Sequence, residues 1–388
     1  MGERKTAEFF WRIPTQGDGR SVSSSSWNRG DWQPAAPGVI APGAPDGRPD
    51  GYGYIDYMAQ VAKACELAGF DGVLVPTAFV SEEPLMIAAA LARETRTLRF
   101  ITAFQPAFIT PAYAAKMGAT LQRISHDRLE WNIITGGSAL AQRAYGDSLP
   151  HDDRYARTLE WLDVAAGYWR GAPFNHKGAL YDIHDGGLAA PLVYTRKPGI
   201  YFSGSSDAAL SVAAKHADHY LMWLEPLADM QAVMLRLNRM AECHGRRPGY
   251  GLRVDIFARE TEAQAWDEAR RLWETVEVNQ SRQAKSMTSS GGEDSVGARR
   301  QAAIRENASG RFEDHCIGPN LWSGLGLFRP GPTIGIFGSY DQVADRLLEY
   351  IEAGFGTFIL AANPHLEEAL RFGEHVLPRV RGRLSALA

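Results

Sequence analysis

The sequence predicts an α/β protein built as an eight-stranded (β/α)8 barrel. Three observations carry that expectation. Short apolar runs of strand character alternate with segments of helical spacing along almost the whole chain, the order expected of a parallel sheet. Eight such runs can be counted, the number a closed barrel needs. The 388 residues, 45% apolar and 22% charged, supply a sizeable core, and a barrel with insertions accommodates that length as one domain over 1–388.

Phe9 to Ile13 is the first strand, closed by Pro14. The following stretch, about 15–51, is rich in Gly, Pro, Ser and Trp. Loops this long inside a compact domain are usually functional or disordered, and its aromatic residues favour a partly ordered flap. Tyr54 to Gly69 has helical spacing and stops at a glycine; FDGVLVP from Phe70 is the second strand. Pro84 to Thr95 is helical, LRFITAF from Leu98 is the third strand, Pro111 to Ser125 is helical, and LEWNIITGG from Leu129 is the fourth. A helix over Arg154 to Arg170 leads into a hairpin-like excursion at 171–198. The fifth strand starts at Gly199, the sixth is HYLMW from His219, and a helix over Pro226 to His244 precedes the seventh, GLRVDIFARE. FGTFILAA from Phe355 is the eighth. Between the last two lies an insertion at about 260–349, read as a lid over the barrel mouth with a linker of no role as the alternative. Its Ser, Gly and Lys composition marks 285–297 as the mobile part.

Composition excludes several classes. A formal net charge of −4 argues against nonspecific nucleic-acid binding, which needs a basic surface. Cys65, Cys243 and Cys316 are widely spaced with no CxxC pair, so neither a disulfide framework nor a metal site is expected and a reducing compartment is. MGERKTAEFFW has no signal-peptide core, and no run approaches the ~18 apolar residues of a membrane helix. A cytoplasmic protein that binds small molecules and no metal is the expectation.

In a barrel of this kind reactive groups gather at the C-terminal ends of the strands. Those ends are Gln16 after the first strand, Thr77 and Ser81 after the second, Gln105 after the third, and Asn132 with Thr135 in the fourth. Gly204, Ser205 and Ser206 end the fifth, Trp223 and Glu225 the sixth, Arg253 and Asp255 lie in the seventh, and Asn363 with His365 follows the eighth. GIYFSGSSD combines a glycine, which permits close backbone approach, with serine and aspartate, which cap helices whose free N–H groups attract anions. A phosphate site and a merely capped turn both fit it. Arg253 and Asp255 share a face by alternation and form either an internal ion pair or a polar substrate site. Arg299 and Arg300 of the lid suit an anion, since guanidinium forks match sulfonate, carboxylate or phosphate. No His or Cys cluster, G-x-S-x-G elbow or P-loop occurs. A site so short of its own acid, base and nucleophile is expected where a cofactor carries the hard chemistry.

FWRIPTQGDGR at Phe10, LVPT followed by SEE at Ser81, WNIITGGS at Trp131, HDDRY at His151, FSGSSD at Phe202, GPNLWSGLGL at Gly318 and PHLEEALRFGE at Pro364 stand in one order along nearly the whole chain. In that order the chain resembles the alkanesulfonate monooxygenases of the bacterial luciferase-like flavin group. The resemblance implies a luciferase-like TIM barrel that takes FMN, as FMNH2, from a separate NAD(P)H-dependent flavin reductase. With O2 it oxygenates a small organosulfonate or related polar substrate, cleaving the C–S bond to aldehyde and sulfite. A homodimer or homotetramer is implied as well. Carried over by position, Ser206 and Tyr155 hold the FMN phosphate beside Gly204 and Ser205. Asn132 and Thr135 lie along the flavin, Thr77 and Ala78 near its ring, and Trp223, Arg253 and Arg300 on the substrate side.

Four substrate-side positions depart from the family. Gln16 and Asp255 stand where it has histidine, Ser81 where it has cysteine, and Asn363 where it has tyrosine. Asp255 would repel an adjacent sulfonate by ~1–4 kcal/mol, depending on the local dielectric, so a non-sulfonate substrate is one alternative. A deazaflavin-dependent oxidoreductase and a noncatalytic flavin-binding protein are the others.

Overall fold

The structure is a computed structural model; it describes residues 6–15, 54–77, 81–136, 139–274, 296–306, 310–327 and 332–386. The predicted flap beyond Thr15, Gln16, Ala78 and the stretch 285–295 lie outside these. The strands in chain order are β1 (Glu8–Arg12), β2 (Gly72–Val75), β3 (Arg99–Phe104), β4 (Leu129–Ile133), β5 (Phe174–Lys177), β6 (Asp182–Gly186), β7 (Ile200–Ser203), β8 (His219–Trp223), β9 (Gly249–Arg259), β10 (Cys316–Gly318), β11 (Leu321–Trp322), β12 (Gly335–Ser339) and β13 (Phe355–Ala361). Eight of them, β1–β2–β3–β4–β7–β8–β9–β13, pair in parallel and return to β1. This is the predicted (β/α)8 barrel with all eight strands in their predicted places. The excursion at 171–198 is an antiparallel hairpin of β5 and β6.

The helices are α1 (Tyr54–Leu67), α2 (Pro84–Glu94), α3 (Pro111–Ser125), α4 (Ala139–Ala144), α5 (His151–Trp169), α6 (Asp207–His216), α7 (Leu227–Glu242), α8 (Glu262–Trp273), α9 (Val296–Glu306), α10 (Tyr340–Glu352), α11 (His365–Arg371) and α12 (Leu377–Ala386). Local chemistry starts several of them. Pro84 opens α2 behind Glu83, whose carboxylate accepts from the Met86 N–H at 2.7 Å, and Thr261 with Gln264 and Ser339 with Gln342 form reciprocal capping boxes on α8 and α10. None of the helices among the described residues is long and apolar enough to cross a membrane.

Two cores result. The larger lies between strands and helices, with Trp11, Trp131 and Trp161 fully buried. The smaller plugs the barrel itself: Phe10, Leu74, Ile101, Tyr201, Leu221 and Ile359 point inward and touch one another. Gly72 makes that plug possible, since a Cβ there would lie 2.6 Å from the Phe10 ring and 2.4 Å from the Arg99 carbonyl oxygen. At the lower edge of the plug its Tyr201 stacks on His219 at 4.4 Å, and burial lowers the His219 pKa. The open end therefore lies above, at the strand C-termini.

One region differs from the sequence expectation of a single insertion at 260–349. β12 pairs in parallel with residues 255–259 of β9, and α10 packs as the barrel helix before β13. The part added to the eight-stranded ring runs from the end of α8 through β12. β9 is long enough to serve β8, β13 and β12 in turn, and no hydropathy pattern announces a strand that changes neighbours.

Gly72→Ala is expected to lower stability by about 1–3 kcal/mol through overpacking of the plug, read as a fall in the denaturant midpoint; an unchanged midpoint would show that the plug is not close-packed there.

Candidate active site at the strand C-termini

The turn after β7 is built by conformation and capping together. Gly204 has φ +125°, a region costly for other residues, and its carbonyl accepts from the Tyr220 hydroxyl at 2.5 Å. Ser206 caps α6, its Oγ accepting from the Ala209 N–H at 3.2 Å. Tyr155 reaches in from α5 to the same turn, its hydroxyl beside Gly204, and burial raises its pKa. A Cβ on Gly204 would come within 3.0 Å of the Tyr155 hydroxyl, so the glycine is also required by space. The free N–H groups of α6, two serine hydroxyls and a tyrosine thus converge on one point.

The added helix α9 covers that point. Arg300 donates to Ser205 Oγ at 2.7 Å, and its Nε lies 3.2 Å from Glu225. Burial raises the Glu225 pKa and Arg300 opposes the rise. Gln301 fixes the helix: its Nε2 donates to the Leu224 carbonyl at 3.1 Å and its Oε1 accepts from the Thr333 N–H at 2.8 Å. The sequence grouped Arg300 with Arg253; the structure groups it with Ser205. A cleft of about 420 Å³ runs outward from the corner, lined by Ser205, Asp229, Val233, Arg236 and Arg300.

Inside the mouth the register sets the cast. Ile359 is level with Phe10 on one side and with Arg253 on the other, and Trp223 is level with Arg253. Arg253 and Trp223 therefore share the inner face of the plug residues. Asp255, level with Ala361, sits one step higher. The Arg253 guanidinium donates to Asp255 at 2.8 Å and both are buried; burial brings the Arg253 pKa down to about 10. Of the two sequence readings of this pair, the ion pair is present. Asn132 is buried in β4 with its Oδ1 unpaired. Thr135 faces outward, 3.4 Å from Thr158 of α5. Thr77, Ser81 and Asn363 are half-buried at the rim, with Ser81 Oγ 3.4 Å from its neighbour's carbonyl.

Arg12 was missed. It ends β1 two residues after the inward Phe10, so it too faces inward. Burial and then repulsion from Arg253 lower its pKa to about 9. The signal was one charged residue in the run FFWRIP, legible only once Phe10 is known to point inside.

Residues 37–357 match the family model described as luciferase-like monooxygenase. The chain belongs to that family. Solved structures agree in fold: a riboflavin lyase, solved with modified FMN and riboflavin, at TM-score 0.72 and 18% identity, covering 98% of this chain and 92% of that one; and a long-chain alkane monooxygenase at 0.72 and 18%, covering 99% and 92%. A coenzyme F420-dependent tetrahydromethanopterin reductase from Methanopyrus kandleri aligns at 0.62 and 16%, covering 84% and 96%. For a luciferase-like protein the donor set fits a phosphate-bearing flavin: an anion corner, and a buried, unsatisfied Asn132 oxygen within the mouth. No cluster of three or more potential metal ligands occurs among the described residues.

Replacing Arg253 by Met leaves Asp255 buried beside the gap and is expected to cost about 3–5 kcal/mol, whereas the double change Arg253→Met/Asp255→Leu recovers most of that loss. Urea melts of the two variants check this; equal losses would refute the buried pair.

Proposed function

We propose that this chain is an FMNH2- and O2-dependent monooxygenase acting on a small organosulfonate or related polar substrate. The observation that carries the reading is the corner at Gly204 to Ser206, closed by Tyr155 and by Arg300 of the added helix. Ser205, Ser206 and the α6 N-terminus would hold the flavin phosphate, with Arg300 supplying charge-assisted hydrogen bonds. Asn132 Oδ1 would accept from a ring N–H. Bound reduced flavin supplies the electrons that activate O2, one oxygen atom going to the substrate and the other to water. On a sulfonate the substrate would leave as aldehyde and sulfite.

The protein's share is binding, orientation and exclusion of water. The plug under the mouth blocks solvent from below, and α9, pinned by Gln301, covers the phosphate end. Trp223 presents an apolar wall beside Arg253. The resemblance to the alkanesulfonate monooxygenases supports delivery of reduced flavin by a separate NAD(P)H-dependent reductase.

One observation favours a second reading, a deazaflavin-dependent oxidoreductase. The cleft beyond the corner, with Arg236 and Arg300 in its lining, has room for a cofactor tail that continues past the phosphate. Titration with reduced FMN and with F420 separates the two: tighter binding of F420 by tenfold or more replaces the FMN reading.

Ser206→Asp is expected to weaken FMN binding by ~100-fold or more because two anions would meet at a desolvated corner, and Arg300→Met by roughly tenfold. Fluorescence titration reads both, and unchanged affinity in Ser206→Asp refutes the phosphate assignment. Feeding FMNH2 and O2 with a panel of sulfonates is expected to release sulfite; flavin turnover on other substrates without sulfite would place the chemistry outside desulfonation.

A further inference from the structure

Among the described residues, the inner face of the mouth holds one more cation than it pairs internally. Arg12 ends β1, Arg253 and Asp255 stand on β9, and β13 runs between the two strands. The residue of β13 level with Asp255 is Ala361, a short side chain that brings no charge of its own between Arg12 and the pair. Arg253 is already committed: it donates to Asp255 at 2.8 Å and to the Val254 carbonyl at 3.4 Å. Arg12 is not. Among the described residues no hydrogen bond or ion pair reaches its guanidinium, and its strongest electrostatic neighbour is another cation, Arg253. Arg12 is half-buried, so its guanidinium, on the inner face and without an internal partner, is open to an incoming anion.

We propose that Arg12, rather than Arg253, holds the charged end of the substrate, and that the substrate is a small organic anion, a sulfonate or carboxylate, seated on the β1 side of the mouth. The proposal rests on the mouth being the substrate site. Asp255 neutralises Arg253 and engages its Nη1, so the anion is directed to the guanidinium that carries no counter-charge. A planar carboxylate or a sulfonate matches that fork with two parallel hydrogen bonds. Arg12 is then a specificity-determining residue: it selects the head group and leaves the rest of the molecule to extend towards Trp223 and the corner.

The test is calorimetric titration of the full chain, without flavin and again with oxidised FMN, using ethanesulfonate and butyrate as anions and butanol as the neutral control. Wild-type protein is expected to bind at least one anion more tightly than butanol; the better anion names the head group. Arg12→Met is expected to weaken that anion on the order of 10–100-fold, to leave butanol unchanged, and to keep or raise the melting temperature, since it removes a charge repelled by Arg253. Arg12→Lys is expected to restore part of the affinity. Anion binding unchanged in Arg12→Met overturns the proposal, as does failure of both anions to bind wild type. So does an Arg12→Met protein that melts lower and loses anion and butanol together, because that is a structural residue. Loss of FMN binding with anion binding intact would sink the flavin reading while leaving Arg12 in its role.

Discussion

The parallel ladder between β8 and β9, running from His219 opposite Gly249 to Trp223 opposite Arg253, turns an open sheet into a ring. Because all eight strands run the same way, closure brings every strand C-terminus to one end and gives each strand an inner face read by alternation. It also lifts β9 past the rim. The strand pairs with β8 and β13 along its first half, and its last residues pair with β12 outside the ring. Arg253 and Asp255 therefore stand where the strand leaves the barrel, and the segment carrying α9 is hung on the same strand. The mouth and its cover share one support.

That arrangement lets apolar and charged interiors coexist. The plug of Phe10, Leu74, Ile101, Tyr201, Leu221 and Ile359 fills the middle of the barrel, and the charged residues stand above it. Desolvation is what depresses both arginines, to about 9 for Arg12 and about 10 for Arg253, and both remain cations at neutral pH. At the corner the opposite balance holds: burial raises the Glu225 pKa while Arg300 restrains it. Glu225 thus keeps Arg300 over Ser205 without filling the anion position, which an incoming phosphate can share.

Strand order was legible because each barrel strand is a short apolar run between turn residues, and the corner because glycine, serine and a cap recur at one βα junction. What escaped was anything set by facing or by partner choice. Arg12 hides in FFWRIP, since an arginine in a strand points to solvent or into the barrel with equal ease until the register is known. Thr135, in an apolar string beside Asn132, turns outward to Thr158. Arg300 was placed with Arg253 by its charge, and only the seating of α9 through Gln301 brings it to Ser205. β12 went unseen because Gly335 to Ser339 is short and glycine-rich, and its pairing depends on the overhang of β9.

The aspartate at 255 is best understood through what it does to its own strand. A lone Arg253 would be the cation of the mouth, and any anion would be drawn to β9. With Asp255 at 2.8 Å the strand is electrically neutral at that level, and the net positive charge moves across β13 to β1. Two strand spacings amount to about 10 Å, far more than the tolerance of an oxidation that must present one carbon to one oxygen. A substrate anchored at β1 approaches the corner from a different side than one anchored at β9. Asp255 and Arg12 thus act as one arrangement, in which the second supplies the anchor that the first withdraws from β9.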